Sequence, residues 1–240
     1  MLDISETQNR IMDALAESGI TADDEACEKL AVYMNGVLER NKVMNLTAIT
    51  EPEKFITDHI VDSAAILNTE EYQKAKTVCD VGTGAGFPGT VLAALSPEKE
   101  FTLIDSLKKR LNVIEELAKE CGMTNIKLVH ARAEDAGHDR ELRESFDVVT
   151  ARAVASLPVL SELGVPLVKK GGAFIAYKTR TGIEEIKGSR HAANILGVGS
   201  MTIQDAGVKG TDHVLVVMKK AGKTPGKYPR KAGDPARNPL

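Results

Sequence analysis

Asp80-Val81-Gly82-Thr83-Gly84-Ala85-Gly86 joins a short apolar run, residues 77–81, to a helical pattern at residues 88–96. Glycines in the first turn from a strand to a helix let the backbone adopt positive φ and approach a ligand closely. The dinucleotide fingerprint GxGxxG would need glycine at position 87, where this chain has Phe87. The segment therefore predicts an α/β fold that binds a ligand at this turn, and it disfavours NAD. A tight turn without a ligand is the alternative.

From Thr77 onward, short apolar runs alternate with helical patterns, which is typical of a parallel sheet covered by helices on both faces. We predict a doubly wound, seven-stranded, Rossmann-like α/β sheet whose last strand can be antiparallel. The predicted strands are 77–81, 100–105, 126–130, 146–150, 172–177, 200–204 and 213–219. The predicted helices between them are 88–96, 107–121, 156–169 and 182–190.

The chain divides into three parts by pattern and composition. Residues 1–70 show helical periodicity and are predicted to form an N-terminal helical extension that caps the sheet. Residues 71–220 form the α/β domain. Residues 221–240 are rich in Pro, Gly and Lys, and we expect a basic C-terminal tail of low order.

The charge is unevenly distributed. The whole chain has a formal net charge of −3, yet from Lys219 onward seven basic residues face one acid, Asp234, so this segment carries +6. Such a basic tail is typical of contact with nucleic-acid phosphates, although it can also serve only to keep a free chain end soluble.

The remaining composition argues against other classes of protein. Cys27, Cys79 and Cys121 are far apart and no histidine has metal-ligand spacing, so we expect buried thiols and no metal. The chain shows no secretory signal and no apolar run of membrane-spanning length. We therefore expect a cytoplasmic protein with no membrane partner.

Acidic residues beside the glycine loop indicate the ligand. Asp80 would repel a pyrophosphate but could attract the ammonium group of S-adenosylmethionine, directly or through water. Asp105 ends the second predicted strand, where an acid accepts hydrogen bonds from an adenosine ribose, although it could instead cap the next helix. Ala133 and Glu134 follow the third strand, where they would border the adenine or cap a short helix. We predict S-adenosylmethionine as the cofactor.

Several stretches resemble one family, the bacterial 16S rRNA guanine-N7 methyltransferases of the glucose-inhibited division protein B type. The resemblance covers nearly the whole chain in order. The matching stretches are Asn45-Leu46-Thr47, His59-Ile60-Val61-Asp62-Ser63, Asp80 to Gly89, Leu103-Ile104-Asp105-Ser106, Lys109-Arg110, Ala151 to Ser156, His213 to Val217 and Thr224 to Gly233.

This resemblance implies a class I methyltransferase fold and a guanine in the decoding-region loop of small-subunit rRNA as the substrate. The form of that substrate stays open between free rRNA, the 30S ribosomal particle and an assembly intermediate. The resemblance also implies which residues bind the cofactor. Together with the loop glycine Gly84 they are Gly82, Phe87, Asp105, Ala133, Glu134 and Arg152.

Methylation of guanine N7 needs no general base, because N7 carries a lone pair and no proton, and the sequence offers no evident base. Arg152 follows a strand end and could hold guanine O6, the cofactor carboxylate or a phosphate, or form only an ion pair. Lys178 and Asn45 are further candidates for substrate contacts. The alternative for Lys178 is an ordinary surface position, and the alternative for Asn45 is a role in forming a turn. His59 and Asp62 share one helical face and could line the substrate side or only pack.

Two other functions stay open. A small-molecule methyltransferase would turn over without RNA and would not need residues 221–240. A non-enzymatic ribosome assembly factor would bind RNA and S-adenosylmethionine without transferring the methyl group.

Overall fold

The computed structural model describes residues 2–152, 155–182, 186, 188–209 and 211–240. Its first part is helical. The helices are α1 (Ile4–Glu17), α2 (Asp24–Met44), α3 (Pro52–Phe55), a π-helical turn (Ile56–Val61), α4 (Asp62–Ala64), a 3₁₀ turn (Ala65–Asn68) and α5 (Glu70–Lys74).

A seven-stranded sheet follows, and its order is β3-β2-β1-β4-β5-β7-β6. The strands are β1 (Thr77–Val81), β2 (Glu100–Asp105), β3 (Ile126–His130), β4 (Phe146–Arg152), β5 (Val168–Thr179), β6 (Val198–Asp205) and β7 (His213–Lys220). The first five are parallel where they pair, whereas β7 is antiparallel to both β5 and β6. The predicted seven-stranded α/β fold is confirmed.

Helices connect most of the strands, one more follows the last strand, and together they cover both faces of the sheet. They are α6 (Gly89–Leu95), α7 (Lys108–Glu120), α8 (Ala133–Ala136), α9 (Leu157–Gly164), α10 (Arg190–Ile195) and α11 (Asp234–Arg237). Alternate residues of the strands face opposite sides, so Ile175 packs with the N-terminal helices while Phe174 packs with α9. Both faces of the sheet are thus buried.

One predicted helix is shorter than expected. The pattern at 156–169 predicted helix throughout, but α9 ends at Gly164, a 3₁₀ turn covers Val165–Leu167 and β5 begins at Val168. A Cβ on Gly164 would lie 2.3 Å from the Phe174 ring, so this end of the helix lies directly against the sheet. Residues 183–185 and 187 of the predicted helix 182–190 lie outside the described residues.

The C-terminal segment corrects another expectation. Residues 221–240 are not a chain of low order: Thr224, Tyr228 and Pro235 are buried and the segment ends in the short helix α11. The composition of the segment does not predict its packing, because the packing depends on contacts with residues far away in sequence, such as the ion pair between Arg230 and Glu162. No helix in the described part of the chain is long and apolar enough to span a membrane.

Candidate active site

The glycine loop connects β1 to α6 and is fixed from two sides. Its backbone amides at Gly82 and Thr83 donate to the carbonyl of Ile104 in β2, at 2.9 and 3.1 Å. On the other side, the hydroxyl of Tyr33 in α2 donates to the carbonyl of Ala85 at 2.9 Å. Gly86 has φ +96°, and a Cβ there would lie 2.3 Å from the Tyr33 hydroxyl. The N-terminal helices therefore pack directly on the loop.

The carboxylates of Asp80 and Asp105 both accept hydrogen bonds from backbone amides, but only Asp105 lines the cavity beside the loop. Asp80 is 1% exposed, accepts from the Gly89 amide at 3.0 Å and does not line the cavity described below. Burial raises the pKa of Asp80 to about 6. Its expected attraction for the ammonium group therefore does not act by direct contact. Asp105 accepts from Gly84 at 2.9 Å and from Leu107 at 2.8 Å, so it fastens the loop to the end of β2.

A cavity of about 510 Å³ opens beside this loop, at the carboxyl ends of the parallel strands. A volume of this size suits a ligand as large as a nucleoside derivative. All seven residues expected to bind the cofactor line it, although they come from four separate stretches of the chain. They are Gly82, Gly84, Phe87, Asp105, Ala133, Glu134 and Arg152.

A second cavity, of about 640 Å³, lies beyond β4 and β5. Lys178 lines it, together with Asp58, Asp62, Tyr177 and His213. His59 and Arg152 line both cavities and so form the wall between them.

The guanidinium of Arg152 is the centre of a hydrogen-bond network in that wall. It donates from Nη1 to the Asp58 carbonyl at 2.6 Å and to Asp62 Oδ2 at 2.9 Å. It donates from Nη2 to His59 Nδ1 at 2.9 Å. Because Arg152 can only donate, His59 Nδ1 carries no proton, and Nε2–H donates to Thr47 Oγ1 at 2.8 Å.

The charges of this network follow from the contacts. Burial, together with the Arg152 charge, lowers the pKa of His59 to about 3, so the ring is neutral. Burial alone would raise the pKa of Asp62, but hydrogen bonds from His213 and Arg152 outweigh it and the pKa is lowered. The hydrogen bond to Asp62, at 2.7 Å, raises the pKa of His213.

Aromatic rings form the apolar part of the wall. The Phe87 and His59 rings are stacked, with centroids 4.5 Å apart and planes 2° apart. Phe55 lies edge-on to both, and Tyr33 lies edge-on to Phe87. The Arg152 guanidinium lies 5.8 Å from the Phe87 ring centre. The residue that replaces the third glycine of a dinucleotide fingerprint thus supports both His59 and Arg152.

Two predicted substrate residues differ in their positions. Lys178 lines the second cavity and donates to the Ala155 carbonyl at 3.3 Å. Asn45 lines neither cavity: it is exposed and ends α2 with left-handed backbone, φ 48° and ψ 54°. Its conformation is that of a turn, and a contact of Asn45 with the substrate stays a prediction.

The sequence reasoning missed His213. It was named as part of the family-like stretch and as a histidine without metal-ligand spacing, and no role in the site was assigned to it. His213 begins the antiparallel strand β7 opposite Thr179, so it reaches the edge at which the parallel strands end. The antiparallel direction that the sequence allowed for this strand is the signal that could have placed it there.

The chain is similar to known proteins along most of its length. Residues 26–215 match the family described as rRNA small subunit methyltransferase G. Identity is 43% over 224 residues with ribosomal RNA small subunit methyltransferase G of Clostridium perfringens, covering 92% of this chain and 94% of that protein. It is 46% over 215 residues with the protein of the same name of Desulfitobacterium hafniense, covering 89% of each. A SAM-dependent O-methyltransferase of Thermotoga maritima shares the fold, with a TM-score of 0.54 at 14% identity over 78% of this chain and 72% of that one.

Proposed function

The chain belongs to the family of rRNA small subunit methyltransferase G, and we propose that it transfers a methyl group from S-adenosylmethionine to N7 of a guanine in the decoding-region loop of 16S rRNA. The reaction would take place in the cytoplasm, on the rRNA or on the 30S particle. One observation carries the proposal: the cavity beside the glycine loop and the second cavity share a wall made by His59 and Arg152.

The first cavity fits S-adenosylmethionine by the chemistry of its lining. The Asp105 carboxylate gives one oxygen to the Gly84 amide and the other to the Leu107 amide, and Glu134 gives one oxygen to the Gly233 amide. A carboxylate oxygen can accept more than one hydrogen bond. Asp105 would therefore accept from the ribose hydroxyls and Glu134 from the adenine amino group. When bound, S-adenosylmethionine supplies a methyl group on a positively charged sulfur.

The second cavity fits the target base. Guanine presents two acceptors, O6 and N7, on one edge and donors at N1 and N2 on another. Arg152 and Lys178 offer cationic donors to O6, which leaves the N7 lone pair free to attack the methyl group, and the Asp58 side chain offers an acceptor to the second edge. A base has to leave its stack to enter such a cavity, so we propose that the guanine is single-stranded or extruded.

The residues of the wall orient the base and exclude water. His59 is neutral and its two nitrogens are engaged, so it does not act as a base, and N7 has no proton to lose. Arg152 uses three of its five N–H donors on described residues and would direct the remaining donors to the base. Asp62 balances the charge of Arg152, which would limit the repulsion between the Arg152 guanidinium and the positively charged sulfur of the cofactor.

The test is transfer of tritium from labelled S-adenosylmethionine to 30S subunits that lack their own N7 modification, followed by chain cleavage at N7-methylguanine. We expect label at one guanine of the decoding-region loop. In Arg152→Ala, kcat/KM should fall by about 100-fold or more, because a charged donor to the base and the support of His59 are both lost.

The matched control is Arg140→Ala, which removes an exposed arginine outside both cavities and should keep full activity. Turnover of a small molecule without RNA would support the small-molecule methyltransferase instead. Tight RNA binding without any methyl transfer would support the assembly factor.

A further inference from the structure

The C-terminal segment packs behind the wall of the first cavity and contacts Glu134, which lines it. The backbone amide of Gly233 donates to Glu134 Oε1 at 3.0 Å. Gly233 has φ +83°, a conformation that favours glycine, so the chain is shaped to present this amide. Glu134 and Ala133, which both line the cavity, belong to α8, a helix of only four residues. Such a short helix depends on its neighbours for stability.

Further contacts bind the C-terminal segment to the end of α8. His138 Nε2 lies 2.6 Å from the carbonyl of Pro229. A Cβ on Gly137 would lie 2.5 Å from the Pro229 ring, so the two backbones are packed as closely as glycine allows. Arg143 bridges them, because Nη1 donates to the carbonyls of both Gly137 and Tyr228, at 2.5 and 2.8 Å.

On its other side, the same segment is anchored to α9 by an ion pair between Arg230 and Glu162 of that helix. The Glu162 carboxylate is fully buried and accepts from the Arg230 backbone amide at 2.7 Å, from Nε at 2.9 Å and from Nη2 at 2.6 Å. A buried carboxylate without its cation is strongly unfavourable, so Glu162 holds Arg230 in place. Gly233, whose amide contacts Glu134, lies three positions after Arg230 in the chain.

We propose that residues 224–238 are a positioning element of the cofactor site, in which the Arg230–Glu162 pair sets the Gly233 amide that orients Glu134. This proposal rests on the proposed function, because it assumes that Glu134 faces the adenosine part of the cofactor. It assigns Arg230 a role in cofactor affinity, distinct from the contact with rRNA expected of a basic tail.

The first consequence concerns affinity. Isothermal calorimetry with S-adenosylhomocysteine should show that Arg230→Ala raises Kd by about 5- to 50-fold, within the usual range of coupling between sites. Lys231→Ala is the matched control: it removes an adjacent exposed lysine of the same charge and should leave Kd within about twofold. If Arg230 acts through Glu134, its effect in a Glu134→Gln background should shrink to about twofold or less, because residues in one network are not additive.

Since Arg230→Ala leaves a buried charge, a second variant keeps the test sound. Arg230→Gln combined with Glu162→Gln removes both charges, so the double variant should fold. It loses the bidentate ion-pair geometry and should bind S-adenosylhomocysteine more weakly, to a degree similar to Arg230→Ala. Thermal unfolding of each variant separates this effect from loss of structure. An unchanged Kd in the folded double variant would overturn the proposal.

The second consequence is reciprocal. If the segment positions the site, ligand binding must stabilise the segment by the same coupling free energy. Saturating S-adenosylhomocysteine should therefore slow tryptic cleavage after Lys227 and Lys231 in the wild-type chain but not in Glu134→Gln. Equal cleavage rates with and without bound ligand would contradict the coupling. Failure of the wild-type chain to bind S-adenosylhomocysteine at all would instead overturn the proposed function.

Discussion

At the scale of single residues, the wall between the two cavities depends on matching donors with acceptors. Arg152 is only 13% exposed, and its charge is stable there because Asp62, 3% exposed, lies 2.9 Å away. His59, in contrast, is neutral, and its Nδ1 therefore accepts a hydrogen bond from Arg152. An arginine, a carboxylate and a neutral imidazole thus share a small volume without an unpaired charge.

The neutral state of His59 predicts a pH dependence of stability. Its pKa is about 3 in the folded chain against an ordinary value of 6.5, so its contribution is fully present above pH 6.5 and is lost as pH falls toward 3. Over this window the free energy of unfolding should fall by up to about 1.4 kcal/mol per pH unit because of this group. His59→Gln, which has no titrating group, should lose that component. Urea unfolding of both proteins at pH 4 to 8 measures the difference.

Other groups titrate in the same window, so the comparison between the two proteins matters more than either curve. The pKa of Asp80 is raised to about 6, and its contribution grows as pH falls through that value. The pKa of His213 is raised, so its contribution is present below 6.5 and disappears as pH rises through its higher folded pKa. Both are common to wild type and His59→Gln. Parallel stability curves from pH 6.5 to 4 would show that His59 is not held neutral.

Residue chemistry could be predicted from the sequence only where it followed a motif. The glycines and Asp105 have roles that depend on one turn and one strand end, and such positions are recognisable in a linear pattern. The network around Arg152 joins residues 58–62 with residue 213, which no local pattern brings together. The depth of Asp80 could not be predicted from the sequence, because its burial beneath the loop depends on the whole fold.

At the scale of elements, strands were predicted well because continuous apolar runs suit a sheet buried on both faces. β2 and β3 have the predicted limits, whereas β5 and β6 are longer than their apolar centres. The C-terminal segment has no such pattern. It is held by Arg230, Tyr228 and Pro229, each bonded to residues 68 to 91 positions away.

The charge of that segment is also partly consumed by the fold. Lys220 is buried against Glu144, Arg230 pairs with Glu162, and Lys219 lies 2.6 Å from Glu71. In the segment from Lys219 onward, all of which the structure describes, exposed lysines without an ion pair remain at Lys223, Lys227 and Lys231. The basic tail therefore offers a few cations on a fixed backbone rather than a free polycationic arm.

These lysines predict a salt-dependent contribution to RNA affinity. In Lys227→Ala/Lys231→Ala, the KM for 30S subunits should rise by roughly fivefold, and the slope of log KM against log salt should fall by about 1.5, close to one phosphate contact per lysine. The Kd for S-adenosylhomocysteine should not change. The control pair Lys74→Ala/Lys119→Ala removes two exposed lysines from helices away from this segment. The same slope in both double variants would exclude these RNA contacts.

At the scale of the whole molecule, the helices before residue 75 are continuous with the core of the sheet. Ile11, Tyr33 and Phe55 belong to the same cluster of buried side chains as Val78 of β1 and Ile175 of β5. The Tyr33 hydroxyl reaches the glycine loop itself. A helical extension that shares a core with the sheet should not fold or open independently of it.

We therefore predict one cooperative thermal transition for the chain, shifted as a unit by S-adenosylhomocysteine. At a concentration 100 times Kd the ligand adds about 2.7 kcal/mol, which for a chain of this length raises Tm by about 5 to 10 °C. Calorimetry measures the transition, and hydrogen exchange followed peptide by peptide shows whether α2 and β1 gain the same protection. Two transitions, or protection that rises in β1 but not in α2, would mean that the helical extension is a separate unit.

Tyr33→Phe sharpens the comparison, because it removes the hydroxyl that joins α2 to the loop while leaving the ring in the core. The variant should still unfold in one step but bind S-adenosylhomocysteine less tightly, since the loop has lost one of its two supports.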